Sequence, residues 1–131
     1  MLEELKVICE KYNSFEALGF RNDIKDLLRK TDFMLLYSKH EGLPITLIEA
    51  TMVGMPIVCN DVGGNSEICF NGENGWVVND WEDLIKTLNS LPDITEEQYR
   101  KMCRKSRNIY KKHFTFEQFK QNYLELLASL E

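Results

Sequence analysis

The residues best suited to chemistry lie in one segment, 38–50, which holds two glutamates separated by seven residues, Glu41 and Glu49. If a helix begins near Pro44, a rise of ~1.5 Å per residue puts Glu49 about one and a half turns into it. A carboxylate there can accept paired hydrogen bonds from a vicinal diol, as acidic residues do with ribose in dinucleotide folds. The free N–H groups of the first helical turn, together with the helix dipole, suit a phosphate group.

The elements on either side would place this segment at the edge of a parallel sheet. The run Phe33–Tyr37 is apolar throughout, as expected of a strand covered on both faces. A helix follows, with Pro44 at its first position and Gly54 just past its end. Open α/β sheets bind ligands beyond the carboxyl ends of their strands, and Gly42 would let a ligand approach the backbone closely.

The rest of the chain predicts an α/β fold. Short apolar runs predict further strands, apolar residues at helical spacing predict helices, and two Thr-x-x-Gln capping boxes start the last two helices. The alternation of elements predicts one domain, 1–131, with a Rossmann-like parallel sheet of about four strands flanked by helices. The further strands are 14–20, 56–59 and 75–78. The further helices are 2–12, 23–30 and one beyond Asn79. The last two helices begin near Glu96, after the capping box of Thr95 and Gln98, and near Phe116, after that of Thr115 and Gln118.

The composition excludes several classes of protein. The chain has 131 residues, with 21 acidic and 16 basic side chains and a formal charge of -5. No apolar run approaches the ~20 residues of a membrane span, and the acidic balance argues against a broad nucleic-acid-binding surface. A cytoplasmic location and no nucleic-acid partner are therefore expected. The four cysteines form no Cys-x-x-Cys pair and are expected to be reduced and mostly buried.

Several motifs in a fixed order resemble one enzyme family. After Ser-x-x-Glu-Gly and the second glutamate come Gly-x-Pro-Ile-Val from Gly54, Gly-Gly-x-x-Glu-Ile from Gly63 and Gly-x-x-Gly from Gly72. The pattern is continuous from about Leu18 to Leu91. It resembles the carboxyl-terminal, donor-binding domain of retaining glycosyltransferases of family 4, which have the GT-B fold.

The resemblance implies a role for each residue of the segment. Glu49 would hold the ribose hydroxyls of a nucleoside diphosphate sugar, and Glu41, as the catalytic residue, would contact the donor sugar. The amides after Gly42 would cradle the sugar and diphosphate, and the residues after Leu18 and Gly19 would border the nucleobase. No metal ion or other cofactor is implied, and the chain has no Asp-x-Asp motif. The substrate-binding residues so implied are Phe20, Arg21, Asn22, Glu41, Gly42, Leu43, Pro44, Ile45, Thr46 and Glu49.

The chain departs from this family at its start. The family's domain begins with a strand, a Gly-rich turn, a helix and another strand, a portion that supplies an Arg and a Lys to the diphosphate. The resemblance therefore implies a domain truncated at its start, whose partner is the missing amino-terminal acceptor domain. The strand Ser14–Phe20 would lack its usual neighbours, so we expect it to pair with Phe33–Tyr37 or across a dimer. A cytoplasmic full-length enzyme could also attach peripherally to a membrane.

Three functions stay open on the sequence alone. The first is the donor-binding part of a glycosyltransferase; the second is a nucleotide-sugar epimerase of the same fold, which the Glu pair disfavours. The third is a non-catalytic or partner-dependent nucleotide-sugar-binding module. His40 either lines the sugar pocket or lies beside it without a role, and Gly63 and Gly64 form either a turn or a donor contact. Trp76 and Trp81 are expected in the core, and the basic residues of 100–105 on a solvated helix face.

The last predicted helix, near 116–130, carries a broad apolar stripe. The Phe-Thr-Phe sequence at its start resembles the entry to the crossover helix of the same family, which reaches toward the amino-terminal domain. We therefore expect part of the stripe to be exposed or buried against another chain. This helix and the open sheet edge are the two candidate surfaces for a homodimer. The stripe consists of Phe116, Phe119, Tyr123, Leu126, Leu127 and Leu130.

Overall fold

The computed structural model describes residues 2–130, so the ends of the predicted domain, Met1 and Glu131, lie outside the described residues. Its strands are β1 Met34–Leu36, β2 Ile57–Asn60 and β3 Gly75–Val78. Its helices are α1 Leu2–Lys11, α2 Ile24–Leu28, α3 Ile45–Val53, α4 Asn65–Ile68, α5 Trp81–Ser90, α6 Glu96–His113 and α7 Phe116–Ala128, and a 3-10 turn covers Leu91–Asp93.

The three strands form one parallel sheet in the order β1, β2, β3. Ile57 of β2 lies beside Met34 of β1 and Gly75 of β3. All four residues of β2 are buried, as expected of a central strand with helices on both faces. The predicted α/β fold with a parallel sheet is confirmed.

Apolar side chains fill both faces of this sheet. On one face β2 packs with α3 and α4 around Leu47, Ile57 and Ile68, which are fully buried. On the other face Val58 packs with Val78 and with Leu84 of α5. Together these two clusters fix the direction of the strands, and therefore the edge at which the loops after β1 and β2 emerge.

The predicted strand Ser14–Phe20 is wrong. Residues 14–20 have neither helix nor strand and are exposed; the ring of Phe20 is 93% exposed. Within residues 2–130, β1 pairs with β2 alone, so the expected pairing with Phe33–Tyr37 is also wrong. An extended segment needs a neighbouring strand for its N–H and C=O groups, and 14–20 has none here.

The strand β1 is covered on one face only, although its sequence predicts cover on both. Met34 and Leu36 pack against the α3 side of the sheet, but Leu35 between them is 46% exposed. Trp81, expected in the core, is exposed as well, and its ring and that of Tyr37 make a T-shaped, edge-to-face contact. Trp76 is half-buried against Phe33. An apolar surface therefore lies along the free edge of the sheet.

The ends of the helices follow the predicted signals, with two differences. The helix α3 begins at Ile45, so Pro44 precedes it instead of being its first residue, and Gly54 ends it with φ 82° as predicted. The capping box of Thr95 and Gln98 is complete. At Thr115 only half of the capping box forms. The Thr115 hydroxyl accepts a hydrogen bond from the backbone amide of Gln118, but the side chain of Gln118 donates to Asn122 instead of returning to Thr115.

The apolar stripe of α7 is exposed, as predicted. Phe116 is 72% exposed and Leu130, just beyond the helix, is 76% exposed.

The four cysteines are free thiols; Cys59 and Cys69 are buried, but Cys9 and Cys103 are only half-buried. The basic residues of 100–105 lie on an exposed face apart from the half-buried Cys103 and the buried Met102 between them. None of the helices within residues 2–130 has the length and apolar character needed to cross a bilayer.

The helix α6 is hydrogen-bonded to the residues that precede β1 and β2. Ser106 donates a hydrogen bond of 2.7 Å to the carbonyl of Met55, just before β2. Tyr99 donates one of 3.1 Å to the carbonyl of Asp32, just before β1. Burial raises the pKa of Tyr99 to about 12.

We predict that Tyr99→Phe lowers the free energy of unfolding by about 0.5–1.5 kcal/mol, because it removes a hydrogen bond between distant parts of the chain. The unfolded Tyr99 ionises near its ordinary pKa of about 10 and the folded one later, so the contribution of Tyr99 to stability is lost as pH rises between these values. Urea unfolding at several pH values would measure this. An equally steep alkaline loss in Tyr99→Phe would contradict the assignment.

Candidate functional site

The loop between β1 and α3 presents unsatisfied backbone donors. No side chain caps α3, and its first turn holds no acidic residue. The amides of Leu47 and Ile48 bind the carbonyl of Pro44, but those of Ile45 and Thr46 have no hydrogen-bond partner among the described residues. Free amides and the positive end of the helix dipole attract anions. Free donors of this kind at the start of α3 are the feature on which the predicted phosphate site depends; the binding itself stays a prediction.

Two carboxylates flank these donors. Glu41, in the loop, and Glu49, the fifth residue of α3, are both half-buried. Ser38 donates a hydrogen bond of 2.7 Å to Oε1 of Glu41. Within residues 2–130 neither carboxylate forms an ion pair, so both keep acceptor positions for the hydroxyls of a ligand. The structure thus places Glu41 and Gly42 to Pro44 in the loop before α3, and Ile45, Thr46 and Glu49 in the first five residues of that helix.

A second loop, after β2, packs directly on the first. The amide of Gly64 donates to the carbonyl of Gly42 at 2.6 Å. Gly63 has φ 57°, and a Cβ atom there would lie 2.1 Å from the carbonyl oxygen of Glu41. Only glycine fits such a position. Gly63 and Gly64 therefore pack against the backbone of the first loop. Whether they also contact the donor stays open.

Asn60 joins the ends of β1 and β2. Its Nδ2 donates to the carbonyl of Ser38 at 2.7 Å, and its Oδ1 accepts the amide of Ser38 at 3.0 Å. This role of Asn60 is not among those predicted from the sequence. The available signal was a polar residue that ends a buried strand beside the candidate segment, where a side chain must find a backbone partner.

The residues predicted to border a nucleobase lie in the irregular segment after α1. Arg21 pairs with Asp23, and this hydrogen bond holds the pKa of Asp23 below its ordinary value. Phe20 and Asn22 are exposed. No hydrogen bond or ion pair of the described residues joins Phe20, Arg21 or Asn22 to the loop of Glu41. Their role stays a prediction.

Two further predictions concern the surroundings of the site. His40 is exposed beside Glu41, and the two alternatives for it stay open. In the part of the chain that the structure describes, no group of three His, Cys, Asp or Glu side chains could hold a metal ion. The absence of a metal requirement stays a prediction.

An apolar groove of about 500 Å³ adjoins the loop on its α7 side. Leu43 and Ile48 line one wall, and Phe119, Tyr123 and Leu126 of α7 line the other. The exposed stripe of α7 is therefore adjacent to the candidate site, so a surface that covered the groove would also approach the loop.

The family model for glycosyl transferases group 1 matches residues 1–109 of this chain. Among curated proteins, the chain is 26% identical over 117 residues to the Vi polysaccharide biosynthesis protein VipC/TviE of Salmonella typhi, covering 86% of this chain and 20% of that protein. It is 31% identical over 81 residues to a UDP-Gal:alpha-D-GlcNAc-diphosphoundecaprenol alpha-1,3-galactosyltransferase of Escherichia coli, covering 62% of this chain and 21% of that protein. The chain thus spans about a fifth of the length of these two relatives.

Two solved structures support the same fold. The structure of HepE from Anabaena in complex with UDP matches with a TM-score of 0.86 and 25% identity, over 98% of this chain and 36% of HepE. A glycosyltransferase of Rickettsia africae matches with a TM-score of 0.84 at 21% identity, over 95% of this chain and 34% of that chain. The predicted GT-B fold is confirmed by these likenesses together with the parallel sheet.

We predict that Gly63→Ala destabilises the protein more than Gly19→Ala. Both glycines have positive φ, but a Cβ atom at Gly19 meets nothing within 4 Å, whereas at Gly63 it meets the carbonyl of Glu41 at 2.1 Å. Gly19→Ala should therefore show the backbone strain alone, at most about 1–2 kcal/mol, and Gly63→Ala should add the cost of moving the first loop. Unfolding by urea would compare them, and equal losses would contradict the tight contact.

Proposed function

This chain belongs to the glycosyl transferases group 1 family, and we propose on that premise that it binds the nucleoside diphosphate sugar used by a retaining, family 4 type glycosyltransferase. The observation that carries the proposal is the uncapped end of α3, with free amides at Ile45 and Thr46, between the two unpaired carboxylates of Glu41 and Glu49. The likeness to HepE, whose structure holds UDP, supports a uridine nucleotide as the first ligand to test.

The diphosphate would lie on the amino end of α3. Lys39 is the only Lys or Arg in segment 38–50, so basic side chains of the loop offer the ligand little charge. The helix terminus, equivalent to about half a positive charge, and the two free amides would compensate. Gly42 has open space on its Cβ side, which leaves room for the ligand to approach the backbone.

The two carboxylates would bind different parts of the donor. Glu49 would accept hydrogen bonds from the ribose hydroxyls, and Glu41 would contact the sugar. In the transfer step the bond between the anomeric carbon and the diphosphate oxygen breaks, and the acceptor oxygen bonds to the same face of that carbon. The acceptor proton passes to the departing diphosphate, whose developing charge the α3 amides would stabilise. No step in this proposal uses a metal ion or a cofactor.

The remaining parts of the proposal concern what lies outside the site. Phe20, Arg21 and Asn22 would border the nucleobase once the donor is bound. An acceptor would come from a second domain, since this chain spans 36% of HepE. The enzyme would act in the cytoplasm, with peripheral attachment to a membrane in the full-length protein.

The exposed apolar surfaces favour a second candidate function, a module that acts with a partner. Leu35 is 46% exposed at the free sheet edge, and the α7 stripe is exposed beside the groove. Such patches are typical of interaction surfaces. The partner would be an acceptor domain or a second copy of this chain, paired through the edge of β1 or through α7.

We predict that Glu49→Ala weakens binding of UDP and of UDP-glucose alike, by about 1.5–3 kcal/mol, because both ligands carry the ribose and lose charge-assisted hydrogen bonds. Glu41→Ala should weaken UDP-glucose and leave UDP nearly unchanged. Calorimetric titration, or NMR titration if binding is weak, would measure the four affinities, with the exposed Glu97→Ala as the control. Equal losses for both ligands in both variants would contradict the separate roles.

We also predict that the 131-residue chain alone transfers no sugar and binds nucleotides only weakly. The reason is that the chain spans only 21% of the Escherichia coli galactosyltransferase and 36% of HepE. Incubation of the purified chain with UDP-sugars and a panel of acceptors would test this. Sugar transfer without an added partner would contradict it.

A further inference from the structure

We infer that Asn60 is a positioning residue that, through Ser38, fixes the side chain of Glu41 for the donor sugar. The inference about the ligand rests on the function proposed above. Three linked contacts form one path: Asn65 Nδ2 donates to the carbonyl of Asn60 at 2.9 Å, Asn60 Nδ2 donates to the carbonyl of Ser38 at 2.7 Å, and Ser38 Oγ donates to Glu41 Oε1 at 2.7 Å. The path runs from a fully buried side chain to the edge of the site.

Asn60 takes over where the backbone pairing of the two strands stops. The last paired residues of β1 and β2 are Leu36 and Cys59. Beyond them the side-chain amide of Asn60, 9% exposed, holds both the N–H and the C=O of Ser38. Only a primary amide offers a donor and an acceptor side by side in this way. Because Asn65 in turn anchors the backbone of Asn60, Ser38 has a fixed position relative to β2.

The hydroxyl of Ser38 then restricts the carboxylate of Glu41. The backbone of Glu41 and Gly42 is already held by Gly63 and Gly64, so the backbone of the loop needs no help from Ser38. The side chain of a glutamate has several rotatable bonds and loses this freedom when it binds a ligand. A carboxylate that is already ordered loses less, which favours contact with the sugar.

The test compares variants that cut the path at different points. Ser38→Ala removes the hydroxyl but keeps the backbone bridge to Asn60. Asn60→Asp keeps the shape and the acceptor, loses the donor, and places a carboxylate against the carbonyl of Ser38. Ser38→Thr restores a hydroxyl, and Ser90→Ala is the matched control, since Ser90 donates to the carbonyl of Thr87 at 2.7 Å in α5.

The first measurement needs no ligand. NMR relaxation of the Glu41 Cγ should show a more mobile side chain in Ser38→Ala, in Asn60→Asp and, to no greater extent, in the double variant, because both substitutions break one path. Ser38→Thr and Ser90→Ala should leave it ordered. Unchanged motion in Asn60→Asp, or a double variant in which the two effects add, would overturn the inference.

The second measurement uses UDP and UDP-glucose as probes. Ser38→Ala and Asn60→Asp should each weaken UDP-glucose about two- to tenfold relative to UDP, the size expected for one net hydrogen bond. Equal losses for the two ligands would overturn the positioning role. If the unsubstituted chain bound neither ligand, the proposed function would fail, whereas the motion of Glu41 would still decide whether Asn60 positions it.

Hydrogen exchange in the unsubstituted chain covers the case in which Asn60→Asp does not fold. The amide of Ser38 donates to Oδ1 of Asn60 at 3.0 Å, so it should exchange slowly although it lies beyond the last paired residue of β1. Lys39, the next residue, is exposed and gives the reference rate. Exchange at Ser38 as fast as at Lys39 would overturn the inference.

Discussion

The close packing of the loop after β2 on the loop after β1 is the contact on which the candidate site depends. Parallel strands bring both loops to the same edge of the sheet. The amide of Gly64 then meets the carbonyl of Gly42 at 2.6 Å, and the lack of a Cβ atom at Gly63 lets the backbones approach. The first loop held in this way leads into α3, where the amides of Ile45 and Thr46 have no partner among the described residues, and neither Glu41 nor Glu49 forms an ion pair there.

Much of this arrangement could be predicted from the residues themselves. Local sequence is enough to predict β1 from the apolar run before Ser38 and the end of α3 from Gly54. The spacing of the glutamates then predicts the position of the candidate residues. The predictions that are wrong or incomplete depend on hydrogen-bond partners that are distant in sequence or that the described residues do not supply. Residues 14–20 have the apolar pattern of a strand but no neighbour to pair with. The bond of Asn60 to Ser38 joins residues 22 apart, so the polar residue at the end of the strand indicates that Asn60 needs a partner but not that the partner is Ser38.

The exposed apolar surfaces follow from the same dependence on neighbours. The central strand β2 is buried between two neighbouring strands, whereas β1 has a neighbouring strand on one side only among the described residues, so apolar side chains there are exposed. Leu35 is one of them, and the stripe of α7 is exposed as well. Because the groove between α7 and the loop is lined by Leu43 and Ile48, an element that covered the α7 stripe would also lie close to the candidate site.

The most direct test of the central claim is a titration of the ¹⁵N-labelled chain with UDP, followed by the backbone amide signals. We expect the largest saturable shifts at Gly42, Leu43, Ile45 and Thr46, because the phosphates would bind the free amides at the start of α3. The amide of Glu49 should shift somewhat less, because its side chain would bind the ribose. Shifts confined to other parts of the chain, or none at millimolar UDP, would contradict the account.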